Sequence, residues 1–181
     1  EGIAPEDLRD VDAENLYVYG ASPLAVKEMK KHRSDMELKC LLFGVPDEGE
    51  PGREEAREGE MLSFCIVGGV QHRKGQDLLL RAMDMLPTGI RQRVVLYIIG
   101  TDQNPFAQEL KRRYGEHKNI RWMGECSREK LRSMYPGMDG MICSSRVEPM
   151  SIAVIEAMQY GIPSIVSKAA GIADYMEDGV H

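Results

Sequence analysis

Met61-Leu62-Ser63-Phe64-Cys65-Ile66-Val67-Gly68 opens a run that continues through Gln76-Asp77-Leu78-Leu79-Leu80-Arg81-Ala82-Met83-Asp84-Met85-Leu86-Pro87 to Val94-Val95-Leu96-Tyr97-Ile98-Ile99-Gly100. Met61–Val67 is an apolar run broken only by Ser63, as expected of a strand covered on both faces. In the next segment Leu79, Ala82, Met83 and Leu86 recur at helical spacing, and Pro87 ends the helix. Val94–Ile99 is a second apolar strand, ended by Gly100.

The alternation extends in both directions. Downstream, Pro105–Tyr114 carries Phe106, Leu110 and Tyr114 four residues apart, which predicts a helix. Ile120–Met123 reads as a strand ended by Gly124, and Ser127 as the cap of a helix reaching Tyr135. Met141–Cys143 (strand), Met150–Tyr160 (helix, stopped by Gly161) and Ser164–Ser167 (strand) complete the pattern. Upstream, Gly44–Glu60 holds seven acids, two arginines, four glycines and two prolines, and almost nothing apolar. Such a segment buries too little surface to offset its ordering entropy and predicts an acidic, flexible linker. Before it, Leu16–Tyr19 and Leu38–Phe43 read as strands, around a helix that Ser22-Pro23 starts and that runs to about His32.

Strands alternating with helices give a parallel sheet with helices on both faces, because right-handed crossovers allow little else. The predicted fold is therefore α/β: a doubly wound, Rossmann-like parallel sheet over residues 61–181, with a short separate unit at 1–43. Ligands of such sheets bind beyond the carboxyl ends of the strands.

The net charge of −6 disfavours nucleic-acid binding, which selects basic surfaces. Lys111-Arg112-Arg113 reads as a solvated helix face. No segment approaches the roughly 20 apolar residues of a membrane span, and no signal peptide is visible. Cys40, Cys65, Cys126 and Cys143 form no CxxC pair and read as reduced, buried thiols of a cytoplasmic protein. The scattered histidines offer no zinc-like cluster, so no metal site is expected.

Three strand-to-helix turns carry candidate chemistry. In the first, Gly68, Gly69, Arg73 and Lys74 precede a helix, where free N–H groups and the helix dipole favour phosphate. It matches neither GxGxxG nor GxxxxGK[ST], and alone it also reads as a flexible turn with a surface lysine. The second is Glu148-Pro149-Met150-Ser151, followed by Glu156. Pro149 can open the helix, and the N–H groups of residues 150–152 can face the crevice. Glu156 lies among apolar helix residues and needs a partner if buried, ribose hydroxyls being suitable donors. It reads equally as half-exposed or paired with an arginine. The third is Ser167-Lys168-Ala169-Ala170-Gly171. That turn, like Met123-Gly124-Glu125-Cys126, is by itself uninformative.

In order, these pieces resemble glycosyltransferase family four, whose members have the GT-B fold and retain anomeric configuration. The resemblance rests on Phe64–Gly68, Arg73-Lys74-Gly75-Gln76-Asp77, Tyr97-Ile98-Ile99-Gly100, Asn119–Gly124, Ser144-Ser145-Arg146, the Glu-x7-Glu spacing from Glu148 to Glu156, Glu156-Ala157-Met158, Gly161-Ile162-Pro163, and Gly171 before Asp178-Gly179. It covers roughly residues 61–181. It implies that this segment is the C-terminal, nucleotide-sugar donor-binding domain, cut short at its own C-terminus. It also implies that 1–43 is a remnant of the N-terminal, acceptor-side domain.

By position, the resemblance implies that Lys74 binds the donor diphosphate and Glu156 the ribose. Glu148 is the catalytic position, contacting the transferred sugar with the N–H groups of Met150 and Ser151. Gly68, Gly69 and Arg73 belong to the donor site, and the loops after Gly100 and Gly124, with Glu125 and Cys126, border the base. The donor is a nucleotide-diphosphate sugar and no cofactor or metal is required, since basic side chains and helix dipoles stabilise the departing diphosphate. The partner is a glycan or lipid acceptor held by the N-terminal domain, as in bacterial cell-surface polysaccharide synthesis. The expected place is the cytoplasm, with the inner-membrane surface open to the full-length enzyme.

Two departures stand out. Gly69 occupies a position where many members carry arginine, leaving Arg73 or Arg146 to supply the second cation. Met150-Ser151 stands where a glycine is common. The resemblance also implies that this piece alone transfers little or no sugar. An epimerase or hydrolase using the same cradle, and a non-catalytic doubly wound module, are the other readings.

Overall fold

The computed structural model describes residues 18–42, 44–46 and 61–181. Seven strands and six α-helices occur among them. A short unit comes first: β1 (Val18–Gly20), α1 (Pro23–Lys30) and β2 (Leu38–Cys40), the two strands pairing in parallel. Ser22 Oγ accepts the Ala25 N–H at 3.1 Å, and Pro23 sits in the first turn, where its missing N–H costs nothing. Both α1 and β2 end earlier than the sequence suggests. The expected strand start at Leu16 and most of the acidic segment, residues 47–60, lie outside the described residues.

The main sheet contains β3 (Leu62–Val67), β4 (Val94–Ile99), β5 (Ile120–Gly124), β6 (Gly140–Cys143) and β7 (Ser164–Val166). All neighbours are parallel, in the order β5-β4-β3-β6-β7. The helices are α2 (Gln76–Met85), α3 (Thr88–Arg91), α4 (Pro105–Tyr114), α5 (Arg128–Met134) and α6 (Ile152–Gln159). The single-turn α3 has no counterpart in the sequence reading.

Successive residues of a strand face opposite ways, and here they feed two cores. Ile66, Leu96 and Ile98 join Leu80 of α2 and Leu110 of α4 on one face. Cys65 and Met141 join Tyr135, Val154, Ala157 and Tyr160 on the other, beneath α5 and α6. Helices on both faces make the sheet doubly wound, as the strand–helix alternation predicts. From β3 the chain winds outward to β4 and β5, then returns past β3 to β6 and β7. The direction reverses between β3 and β6, so the crevice for a ligand opens beyond Val67 and Cys143.

Two expectations need correction. Burial pushes the Cys65 thiol up to about 12, and Cys143 is buried, but Cys126 is half-buried and Cys40 exposed. Lys111 is not simply solvated: its Nζ pairs at 2.6 Å with buried Asp102 and lies 5.8 Å from the Trp122 ring centre. Among the described residues no helix is long and apolar enough to cross a membrane.

Candidate functional site

Two loops meet at the reversal point. The first follows β3. Gly68 (φ 137°) donates its N–H to Ile99 O at 2.8 Å, and the Val70 N–H goes to Thr101 O at 2.8 Å, so the loop stays zipped to the segment after β4. That closeness requires glycine at 100: a Cβ there would stand 2.3 Å from Gly68 O, at φ +145°. Gln76, only 1% exposed, staples the loop from inside. Its Oε1 accepts the Gln71 N–H at 3.3 Å and its Nε2 donates to Gly69 O at 3.1 Å. One short 3-10 turn, His72–Lys74, then delivers Lys74 to the crevice.

The second loop follows β6 and lies against the first. The Arg146 N–H donates to Arg73 O at 2.7 Å, and the Arg146 guanidinium donates to both Asp77 carboxylate oxygens at 2.7 and 2.8 Å and to His72 O at 2.7 Å. Such bidentate, charge-assisted pairs are the strong class of hydrogen bond. Hydrogen bonding from Arg146 holds the Asp77 carboxyl below its ordinary range. Arg146 is thereby committed to joining the loops.

Glu148 is buried, and its main chain is strapped to the turn after β7. Its N–H donates to Ala169 O at 3.2 Å, and its carbonyl accepts the Gly171 N–H at 2.8 Å. Its carboxylate pairs with Lys74 Nζ and lies 3.6 Å from an Arg73 guanidinium nitrogen. The structure therefore brings Arg73, Lys74 and Glu148 together from two loops, beside the start of α6.

That start differs from expectation. The helix begins at Ile152, not at Met150, because Ser151 has φ 90° and ψ 78°, a left-handed conformation that ends helical geometry on its N-terminal side. Ser151 is the one non-glycine residue with positive φ among the described residues. Such strain concentrates at functional sites. Among the described residues no group accepts from the N–H of Ser151 or Ile152, as the first turn of a helix leaves free. Met150 itself is buried, its carbonyl accepting the Ile172 N–H at 3.1 Å.

Glu156 is placed apart from this cluster. Lys74 and Ser151 line one hollow, with Gln76 and Ser145. Glu156 lines another, between α5 and α6, with Arg128, Tyr135 and Gln159. Its carboxylate lies 3.4 Å from Arg128, so the reading of Glu156 as paired with an arginine describes the structure. Lys74 and Glu156, which a common donor cradle would bring to one hollow, thus line different ones among the described residues. Tyr135 OH, buried without a partner among the described residues, sits on the same side. Burial first, and the nearby Glu156 charge second, raise its phenol well above the ordinary tyrosine range. Gly100 and Gly124 stand at adjacent strand ends, the Gly100 N–H donating to Gly124 O at 2.8 Å. Beyond them Glu125 is exposed and Cys126 half-buried.

The sequence reading quotes Gln76 and Asp77 only as part of the step from Arg73 to Asp77, without their roles as staple of the loop and partner of Arg146, and does not single out Asp102. The signal for Gln76 and Asp77 is their place in that step, at the start of α2, where the structure buries both.

Residues 48–181 match the family described as glycosyl transferases group 1. A glycogen synthase of Granulibacter bethesdensis is 32% identical over 116 residues, covering 64% of this chain and 24% of that protein. The lipopolysaccharide glucosyltransferase WaaG of Escherichia coli K12 is 25% identical over 135 residues, covering 74% of this chain and 36% of that protein. The chain thus spans about a quarter of the first of these relatives and about a third of the second. Among solved structures, Anabaena HepE in complex with UDP-glucose superposes with a TM-score of 0.73 at 16% identity, over 97% of this chain and 50% of that one. That likeness shows a shared GT-B fold. With the family match covering most of its length, the chain belongs to the glycosyl transferases group 1 family.

Proposed function

We propose that this chain is the donor-binding half of a retaining, metal-independent glycosyltransferase that moves a hexose from a nucleotide-diphosphate sugar to a glycan or lipid acceptor. The observation that carries the reading is the meeting of Lys74 and Glu148 at the sheet's reversal point, beside the unpaired N–H groups that open α6.

Lys74 and the amides of Ser151 and Ile152 hold the diphosphate. As charge builds on the departing diphosphate oxygen, an ammonium and a helix dipole already in place stabilise it without reorganisation. Arg73 supplies the second cation in place of the arginine absent at Gly69. Arg146 does not, because its guanidinium is engaged by Asp77 and His72 O. Arg73 is half-exposed and within 3.6 Å of Glu148. Glu148 exchanges Lys74 for hydroxyls of the transferred sugar once the phosphates take the lysine. Glu156 exchanges Arg128 for the ribose hydroxyls, which requires α5 and α6 to let its carboxylate turn toward the crevice. The loops beyond Gly100 and Gly124 flank the base. The UDP-glucose bound by Anabaena HepE makes UDP the first nucleotide to try.

Calorimetric titration of the chain with UDP, GDP and ADP, with Lys74→Ala, Arg73→Ala and Glu156→Ala alongside, tests this reading. Losing a charge-assisted contact of about 1.5–3 kcal/mol weakens binding roughly 10- to 100-fold in each variant. Binding that is absent from the parent chain, or unmoved by Lys74→Ala, removes the proposal.

A further inference from the structure

The turn that carries Glu148 is held from behind by the segment 169–172, and that segment is in turn seated against α1. Glu148 and Ala170 form a parallel bridge, and Gly171 and Ile172 donate their N–H groups to Glu148 O and Met150 O. Gly171 has no room for a side chain: a Cβ there would stand 2.1 Å from Pro149 O and 2.1 Å from Ser22 Oγ. Ser22, the cap of α1, is fully buried by this contact. Three residues on, the exposed Asp174 reaches across, and its Oδ2 accepts the Leu24 N–H at 3.1 Å. Leu24 is in the first turn of α1, whose N–H groups have no partner within the helix. The same short 3-10 stretch, Gly171–Tyr175, places Tyr175 OH 3.9 Å from Cys40 Sγ at the end of β2.

We propose that Asp174 is a positioning residue: its carboxylate locks α1 onto the Gly171 segment and so holds the Glu148-Pro149-Met150 turn in place. The charge suits the task. A carboxylate at a helix N-terminus gains from both the free N–H and the dipole. It joins residues 150 positions apart in the chain, across the boundary between the β1–α1–β2 unit and the main sheet. The lock acts on Glu148 through the backbone, since Asp174 does not touch the Glu148 side chain. Only the statement of what Glu148 contacts rests on the functional reading above.

Amide hydrogen exchange on the full chain tests the lock directly. Asp174→Ala changes an exposed residue, and a retained circular dichroism spectrum checks that it folds. The expected result is exchange at the Gly171 and Ile172 amides at least 5-fold faster, with β3 and β4 unchanged and Asp174→Glu restoring the parent rates. Titration adds a readout that a merely structural role does not move. Asp174→Ala weakens UDP-glucose by about 5- to 10-fold and UDP by a clearly smaller factor, because the displaced turn loses the Glu148 contact to the sugar while Lys74 and Arg73, on the other loop, still hold the diphosphate. Unaltered exchange at Gly171 and Ile172, or equal weakening of both nucleotides, overturns the proposal. Faster exchange in a chain whose parent binds no nucleotide supports the lock and overturns the functional reading instead.

Discussion

Ser151, at φ 90°, carries a Cβ where the backbone favours none. A left-handed residue with a side chain costs about 1–2 kcal/mol. Glycine removes that cost but returns roughly 0.5–1 kcal/mol through the greater freedom of the unfolded chain. The strain is the larger effect, so Ser151→Gly is expected to stabilise the protein by about 0.5–1 kcal/mol, measured as a higher urea midpoint with unchanged slope. A lower midpoint means that the hydroxyl makes an interaction outweighing the strain. Asp77 is the second residue whose chemistry has a sign to check. Arg146 lowers its folded pKa, so the pair's contribution is fully present above the unfolded value of about 3.9 and fades as pH falls through the folded one. Asp77→Asn should cost about 1–2 kcal/mol at pH 7. The gap between variant and parent should close in acid, below about pH 4. A gap that persists unchanged to pH 2 means the loss at neutral pH came from packing rather than charge.

At the scale of elements, what the sequence reveals depends on how local the cause is. Val94–Ile99 and Pro105–Tyr114 form where the pattern puts them, because an apolar run ended by Gly100, and a proline after an Asn104 cap, each settle an element within a few residues. The start of α6 was not legible. Pro149 has the chemistry of a first helical residue, but Gly171 and Ile172 tie down the carbonyls of Glu148 and Met150, and the helix starts only after Ser151. The same limit applies to the candidate site. Lys74 and Glu148 each announced themselves as polar residues in strand-to-helix turns. Their pairing, across 74 positions, and that of Asp77 with Arg146, across 69, exist only once β3 and β6 lie side by side. Glu156 shows the converse. Its spacing from Glu148 is plain in the sequence, yet the turn it faces is set by the packing of α5, which brings Arg128 within reach. Gly100→Ala tests the element-level claim that the β3 and β4 ends must touch. A Cβ 2.3 Å from Gly68 O forces the strand ends apart. The change should cost at least about 2 kcal/mol in urea unfolding, and a neutral substitution shows that the ends can separate freely.

At the scale of the whole molecule, the question is whether the β1–α1–β2 unit is an appendage or part of one cooperative structure. An exposed linkage such as Asp174 to Leu24, at up to about 1 kcal/mol, suffices to lock the turn locally but does not by itself make the two parts unfold together. The buried seat at Gly171 argues the other way. Ser22 is wholly covered there, and the same glycine abuts Pro149 O, so the unit and the Glu148 turn share one tightly packed point. Gly171→Ala places a methyl into that point from which neither neighbour can readily retreat, one being backbone and the other a capped helix start. Overpacking of this kind costs about 2 kcal/mol, which for a chain of this size lowers Tm by roughly 4–8 °C. If the seat couples the two parts, the Val26 N–H, bonded to Ser22 O at 3.0 Å, should lose exchange protection in the same variant while the interior of β3 keeps its own. An unshifted melting point together with an undisturbed Val26 amide means that α1 can slide off Gly171 without consequence. The unit would then contribute nothing to holding Glu148.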